Sequence, residues 1–243
     1  MLQLQKYKMK IRTILVKILA FFGIKRNRTI IPVVDLEDFL PVIDVDPIEK
    51  EEANGNITLQ ELTIISQIVK DNKPRNIFEI GTFNGRTTLN LDHFSTEDAH
   101  VYTLDLPKKD LDNAKFGIEA GDRKYVDKNV IGEKYQEKVS KVTQLYGDSA
   151  TFDFSLYYGK MDFIFVDGAH SAPYAQNDSE IAFKLLRKGG IILWHDYGVW
   201  RGVTKVLNNY YKKDIRFKNV KHISGSCFVY YKDGKDYDKK NSK

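Results

Sequence analysis

The chain predicts an α/β fold on a doubly wound, mostly parallel sheet of seven strands, with a helical extension ahead of it. Three observations predict it. From Thr58 onward, short apolar runs alternate with helical patterns, the order that sets parallel strands between crossover helices. Residues 163–166 are apolar at every position, as in a strand covered on both faces. And Asn76-Ile77-Phe78-Glu79-Ile80-Gly81-Thr82-Phe83-Asn84-Gly85-Arg86 reads as a strand, a two-glycine turn and a helix start. That arrangement opens a nucleotide-sized crevice at a strand's carboxyl end, with glycines that let backbone approach a ligand.

The elements follow in order. Ile11, Ile14, Leu15, Ile18, Leu19 and Phe22 recur at helical spacing and predict an amphipathic helix over 11–24. Residues 30–56 contain Pro32, Pro41, Pro47 and Gly55 and read as a linking arm with little regular structure. Thr58-Leu59-Gln60-Glu61 is a capping-box pattern; it opens a helix with Leu62, Ile65 and Val69 on one face, which Pro74 ends. Strands are expected at 77–80, 101–104, 139–146, 163–166, 191–194, 217–222 and 226–231. Helices are expected at 84–94, 174–186 and 203–211, the second closed by Lys188-Gly189-Gly190. Residues 110–137 are polar and helical in part, interrupted by Gly117, Gly121 and Gly132. The Lys- and Asp-rich tail is expected to fray. The chain thus divides into 1–56 (basic helix and acidic arm), 57–232 (the α/β domain) and 233–243 (flexible tail).

Composition narrows the function classes. At 243 residues and 42% hydrophobic content the chain has a core and is not globally disordered. Cys227 is the single cysteine, which excludes an internal disulfide framework and suits a reducing, cytoplasmic compartment. The net charge of +5 is concentrated at the ends: residues 1–29 hold Lys6, Lys8, Lys10, Arg12, Lys17, Lys25, Arg26 and Arg28 with no acid. Residues 35–52 then carry eight acids against Lys50 alone. Segment 11–24 is too short to span a bilayer and lacks a small-residue cleavage site, so neither a membrane span nor a signal peptide is expected. A basic amphipathic helix can lie on an anionic membrane as a peripheral contact. The same stripe can pack on the body or on a second copy as a homodimer, and both readings stay open. With no Arg-rich face interleaved with aromatics, a nucleic-acid partner is not expected.

Ligands of an open parallel sheet sit beyond the carboxyl ends of its strands. The residues placed there are Glu79, Asp105, Asp148, Asp167 and the pair His195-Asp196. Asp105 lies 20 positions after Gly85, where an acid suits ribose hydroxyls; capping a helix is the alternative. The turn has two glycines rather than the G-x-G-x-x-G of dinucleotide sites, which shifts the expected ligand from NAD toward a nucleoside without phosphates, such as S-adenosylmethionine. A histidine ordinarily titrates near neutrality, so His170 is a candidate base, with His195 its competitor. Tyr174, Tyr197 and Trp200 are candidates for an acceptor wall or for packing under the loops. Asp178 reads as a surface salt bridge or as a hydrogen bond to the loop.

The segment Glu79-Ile80-Gly81-Thr82-Phe83-Asn84-Gly85 resembles the first motif of class I S-adenosylmethionine-dependent methyltransferases. Val166-Asp167-Gly168-Ala169-His170-Ser171 and Gly189-Gly190-Ile191-Ile192-Leu193-Trp194-His195-Asp196-Tyr197 resemble the small O-methyltransferase-like branch near the catechol and macrocin O-methyltransferases. The resemblance runs from about Thr58 to Lys232 and implies a Rossmann-like sheet and methyl transfer to a hydroxyl of a small molecule, a saccharide among the candidates. It implies cofactor contacts at Glu79, Gly81, Thr82, Phe83, Gly85, Asp105 and Asp167, with Asp148 and Ser149 flanking the adenine. It implies catalytic roles for Asp167, His170 and His195, and a Mg²⁺ or other divalent metal on Asp167, His195 and Asp196. His195 stands where the catechol-type enzymes carry an acid, so metal dependence stays open; an imidazole ligand favours Mn²⁺ or Zn²⁺. Two other readings of the same chain are an NAD- or nucleotide-sugar-linked enzyme and a non-catalytic scaffold at a membrane surface.

Overall fold

The computed structural model describes residues 28–128, 130–135 and 139–234. The amphipathic helix expected at 11–24 and the tail from 235 lie outside the described residues. Among the described residues, no helix is long and apolar enough to cross a membrane.

Strands and helices alternate from Asn76 onward as the sequence predicts. The elements are β1 (Val33–Val34), α1 (Leu59–Asn72), β2 (Asn76–Ile80), α2 (Arg86–Phe94), β3 (His100–Asp105), α3 (Ala120–Lys128) and β4 (Val142–Tyr146). They continue with β5 (Met161–Val166), α4 (Ala172–Leu185), β6 (Leu186–Trp194), α5 (Arg201–Lys213), β7 (Lys221–Ile223) and β8 (Val229–Lys232). One sheet holds all eight strands in the order β1-β7-β8-β6-β5-β2-β3-β4. Only β8 runs antiparallel, between β6 and β7.

Local chemistry explains the boundaries. Thr58 Oγ1 accepts the Glu61 N–H and the Glu61 carboxylate accepts the Thr58 N–H, a reciprocal cap that starts α1. Lys73 takes a left-handed conformation before Pro74 and stops it. Ser171 caps α4, with Pro173 in its first turn.

Alternate residues of the central strands feed two cores. Phe163, Phe165, Ile191 and Leu193 pack with Leu62, Ile65 and Val69 of α1 on one face. Ile164, Val166, Ile192 and Trp194 pack with α4 and α5 through Ala182, Leu185, Val203 and Leu207 on the other. Burial on both faces is what makes these strands continuously apolar.

The structure departs from the sequence reading at three elements. Residues 30–56 contribute an eighth strand, β1, paired with β7, and a 3₁₀ turn, Leu36–Asp38. Gly189-Gly190 does not close α4: the helix ends at Leu185, and the glycines lie inside β6, which begins at Leu186. Residues 215–219 form a 3₁₀ turn rather than the start of a strand.

The arm is fastened to the body at its start. The Tyr197 hydroxyl accepts the N–H groups of Ile30 (2.8 Å) and Ile31 (3.0 Å) and donates to Asn208 Oδ1 (2.6 Å).

Candidate active site

The register of the central strands brings the site together. Ile80 pairs with Leu104 of β3 and with Val166 of β5, and Val166 pairs with Trp194 of β6. The next residues, Gly81, Asp105, Asp167 and His195, therefore stand in a row at the strand tips. From β2 the chain runs out to β3 and β4, then crosses back to β5 on the other side. Gly81 and Asp167 thus flank the switch point where such sheets bind ligands. A Cβ on Gly81, whose φ is +99°, would lie 2.0 Å from the Asp167 carbonyl oxygen, so only glycine fits between these loops.

A cavity of about 470 Å³ opens over this row. Gly81, Phe83, Asp105, Leu106 and Pro107 form one wall; Asp167, His170, His195, Asp196 and Trp200 form the other. Gly55, Asn56, Asp122, Tyr125, Ile131 and Tyr146 are among the other lining residues.

Asp105 organises the glycine turn. Its Oδ2 accepts the N–H groups of Thr82 (3.1 Å) and Phe83 (2.6 Å), and its Oδ1 accepts that of Leu106 (2.7 Å). Desolvation in the cleft nonetheless raises its pKa to about 6. Phe83 is held at a positive φ of 51°, a strained backbone in the cavity wall.

Not every residue expected at the cofactor reaches the cavity. Glu79 is fully buried beneath the turn, where it accepts from Thr88 and from Thr103 Oγ1 (2.6 Å). Its burial raises its pKa to about 8, against the pull of both hydroxyls. Thr82 is turned inward to Thr103, and Gly85 caps α2 against the Tyr135 ring. Asp148 is engaged locally, accepting the N–H groups of Lys115 (2.8 Å) and Ala150 (2.8 Å). The Ser149 carbonyl accepts from Asn177 (3.1 Å), so Tyr146 rather than Asp148 or Ser149 lines this part of the cavity. These five residues shape the site from behind. Asp178 is buried rather than at the surface and takes a hydrogen bond from Asn177. Tyr174 is likewise buried and Tyr197 holds the arm, so of the three candidate aromatics only Trp200 lines the cavity.

On the other side, six ionisable side chains form one cluster: Glu61, Asp122, Asp167, His170, His195 and Asp196. The two His170 nitrogens face carboxylates: Nδ1 donates to Asp122, and Nε2 donates to Asp196 Oδ2 (2.6 Å). Asp122 also accepts the His170 N–H (3.0 Å), and the Trp200 indole stacks on the imidazole at 4.3 Å and 11°. Burial alone would lower the His170 pKa; the two carboxylates outweigh it and raise it to about 10. Both His170 nitrogens thus face carboxylates that favour the charged ring, whereas the sequence reading expects a base at this position.

His195 makes one hydrogen bond and one longer ionic contact. Its Nδ1 donates to Asp167 Oδ1 (2.9 Å), and its Nε2 faces Glu61 Oε2 at 3.5 Å. Its burial is outweighed by Asp196 and Asp167, which raise its pKa well above the usual value. Burial raises the pKa of Asp167; against the same burial, the two imidazoles hold Asp196 well below the carboxylate range. Asp196 also carries a positive φ of 65°, so the acid at the tip of β6 is placed by a strained turn.

Asp167, His170 and Asp196 each bring one potential ligand atom within 4.8 Å of the others. Two carboxylates and one imidazole fit a divalent cation. The set differs from the expected one: His170 takes the place of His195, which instead braces Asp167 against Glu61. Asp122 and Glu61 were missed as site residues. Asp122 lies in a polar stretch without a motif, and Glu61 signals only its capping box.

A family model described as "Methyltransferase domain" matches residues 78–197. No curated protein sequence matches the chain. Among solved structures the fold is similar to the SAH-bound methyltransferase PaMTH1 of Podospora anserina: 20% identity, 75% of this chain and 81% of that one covered, TM-score 0.53. It is also similar to the O-methyltransferase NovP, at 16% identity over 73% of this chain and 81% of that one, TM-score 0.53.

Proposed function

We propose that this chain, whose residues 78–197 match a methyltransferase domain, uses S-adenosylmethionine to methylate a hydroxyl oxygen of a small molecule. Residues 57–232 carry the reaction in this reading. One observation carries it: a single cavity joins the glycine-turn wall of Gly81, Phe83 and Asp105 to the charged wall of Asp167, His170 and Asp196. The first wall suits an adenosyl group, with Asp105 oxygens for ribose hydroxyls and Leu106, Pro107 and Tyr146 beside it for a purine. The second suits a hydroxyl that must be aligned and deprotonated.

The donor, when bound, supplies an electrophilic methyl on a positive sulfur: the oxygen–carbon bond forms as the carbon–sulfur bond breaks, and sulfur keeps the bonding pair as a neutral thioether. The protein's work is alignment and removal of one proton. We assign the proton to Asp167, the carboxylate whose desolvation makes it the more basic of the pair. His170 and Asp196 orient the acceptor, and His195 holds Asp167 in place. A divalent cation on Asp167, His170 and Asp196 would polarise the acceptor oxygen once His170 gave up its Nε2 proton, and Asp167 would then serve as a ligand rather than as the base; the imidazole favours Mn²⁺ or Zn²⁺ over Mg²⁺. A saccharide is our first candidate acceptor, because Trp200 puts an aromatic surface beside carboxylates that can accept from sugar hydroxyls.

Calorimetric titration with S-adenosylmethionine, with NAD in parallel, tests the reading. Saturable heat with the first alone is expected; binding of NAD alone overturns the assignment. Labelled-methyl transfer into extracts of hydroxylated metabolites then identifies the acceptor, and Asp167→Asn is expected to lower turnover at least about a hundredfold.

A further inference from the structure

Arg86 opens α2 directly after the glycine turn, yet it is 1% exposed and points away from the cavity row. Its guanidinium is spent on the backbone of the arm. Nε donates to the Glu49 carbonyl (2.6 Å), Nη1 to that of Ile57 (2.8 Å) and Nη2 to that of Lys50 (3.2 Å). One helical turn on, Asn90 makes a reciprocal pair with Ile48: Nδ2 donates to its carbonyl (3.0 Å) and Oδ1 accepts its N–H (3.0 Å). Two side chains of one helix thus hold both ends of residues 48–57.

The strap held in this way is a wall of the ligand cavity. Gly55 and Asn56 line it, facing Phe83 of the glycine turn. Asn56 Nδ2 donates to Asn84 Oδ1 (3.0 Å), and the Tyr125 hydroxyl of α3 donates to Asn54 Oδ1 (3.2 Å). The fit is tight: a Cβ on Gly55, at φ +106°, would lie 2.8 Å from the Tyr125 ring and 3.1 Å from that of Phe83. A buried cation is costly unless its donors are satisfied, and here the three guanidinium bonds all end on one segment. A planar fork that spans carbonyls eight residues apart suits this clamp as an ammonium does not.

We infer that Arg86, with Asn90, is a positioning residue for cofactor binding: it fastens the strap 48–57 so that the wall built by Gly55 and Asn56 is formed before the ligand arrives. The inference rests on the cofactor assignment above. Pre-forming a wall raises affinity by the fraction of molecules in which it is closed. A strap closed a tenth of the time weakens binding about tenfold.

The test measures adenosylhomocysteine affinity by calorimetry and amide hydrogen exchange by mass spectrometry on the full chain. Arg86→Met and Asn90→Ala are each expected to speed exchange over 49–57, to leave the central strands protected, and to weaken binding about tenfold. Arg86→Lys keeps the charge, reaches fewer carbonyls and is expected to recover part of the affinity. Faster strap exchange with affinity unchanged overturns the inference, as does unchanged strap exchange in both variants. If Arg86→Met does not fold, Asn90→Ala decides on the same two readouts. Failure of the unaltered chain to bind adenosylhomocysteine overturns the cofactor assignment, and the inference about its positioning with it.

Discussion

Glu79 and Glu61 are both buried acids, and their surroundings send them in opposite directions. Burial takes Glu79 up to about 8, so the folded state binds its proton more tightly than the unfolded chain does. Its contribution to stability is complete below the ordinary carboxylate range and is lost as pH rises through about 8. Glu61 is desolvated too, but His195 and the N–H groups of Thr58 and Cys227 outweigh that and lower it to about 2. Its contribution is present above the ordinary range and is lost as pH falls toward about 2. Melting curves between pH 2 and 9 check this: Glu79→Gln is expected to lose less stability on the alkaline side than the unaltered chain, and Glu61→Gln less on the acid side. Asp105→Asn keeps the shape but leaves one oxygen to serve three backbone donors; adenosylhomocysteine affinity is expected to fall about tenfold or more in calorimetry. Asp105 and Gly81 were legible in the sequence because strand, turn and spacing are local. The double engagement of His170 was not, because Asp122 and Asp196 reach it from elements 48 and 26 residues away.

The same division holds for whole elements. The start of α1 is written in four consecutive residues, and Thr58→Ala is expected to cost about 1 kcal/mol in urea unfolding. The run 163–166 of β5 was legible because both its faces are buried, which leaves no polar position after Asp162 to confuse the pattern. Gly189-Gly190 was misread because helix-terminating glycine is a local signal and strand pairing is not. Met161 pairs with Leu186 and Phe163 with Ile191, so the glycines sit in an irregular stretch of β6 that only its neighbour β5 defines. The strand β1 was missed for a like reason: two valines become a strand only where β7 offers them an edge.

At the scale of the molecule, alternating strands and helices foretold the doubly wound sheet, and the order of strands gave the crevice its place. How residues 28–57 wrap the domain had no counterpart in any periodic pattern; proline content spoke for irregular backbone, not for where it is pinned. Because the cavity draws on β2, β3, β5, β6, α3 and the arm together, a ligand there binds the folded chain alone. Adenosylhomocysteine at a hundred times its Kd is expected to add about 2.7 kcal/mol, a rise in Tm of roughly 5–10 °C by scanning fluorimetry.

The phenol of Tyr197 gives this wrapping a mechanical side. That one oxygen joins Ile30 and Ile31 to the residue immediately after Asp196. Lifting the two isoleucines would strand their amides and leave the tyrosine hydroxyl held by Asn208 alone. Tension on the chain ahead of Arg28 would fall first on the bond from Asn208 Nδ2 to the Arg28 carbonyl and next on this oxygen, one residue from the acid that faces the acceptor in our reading.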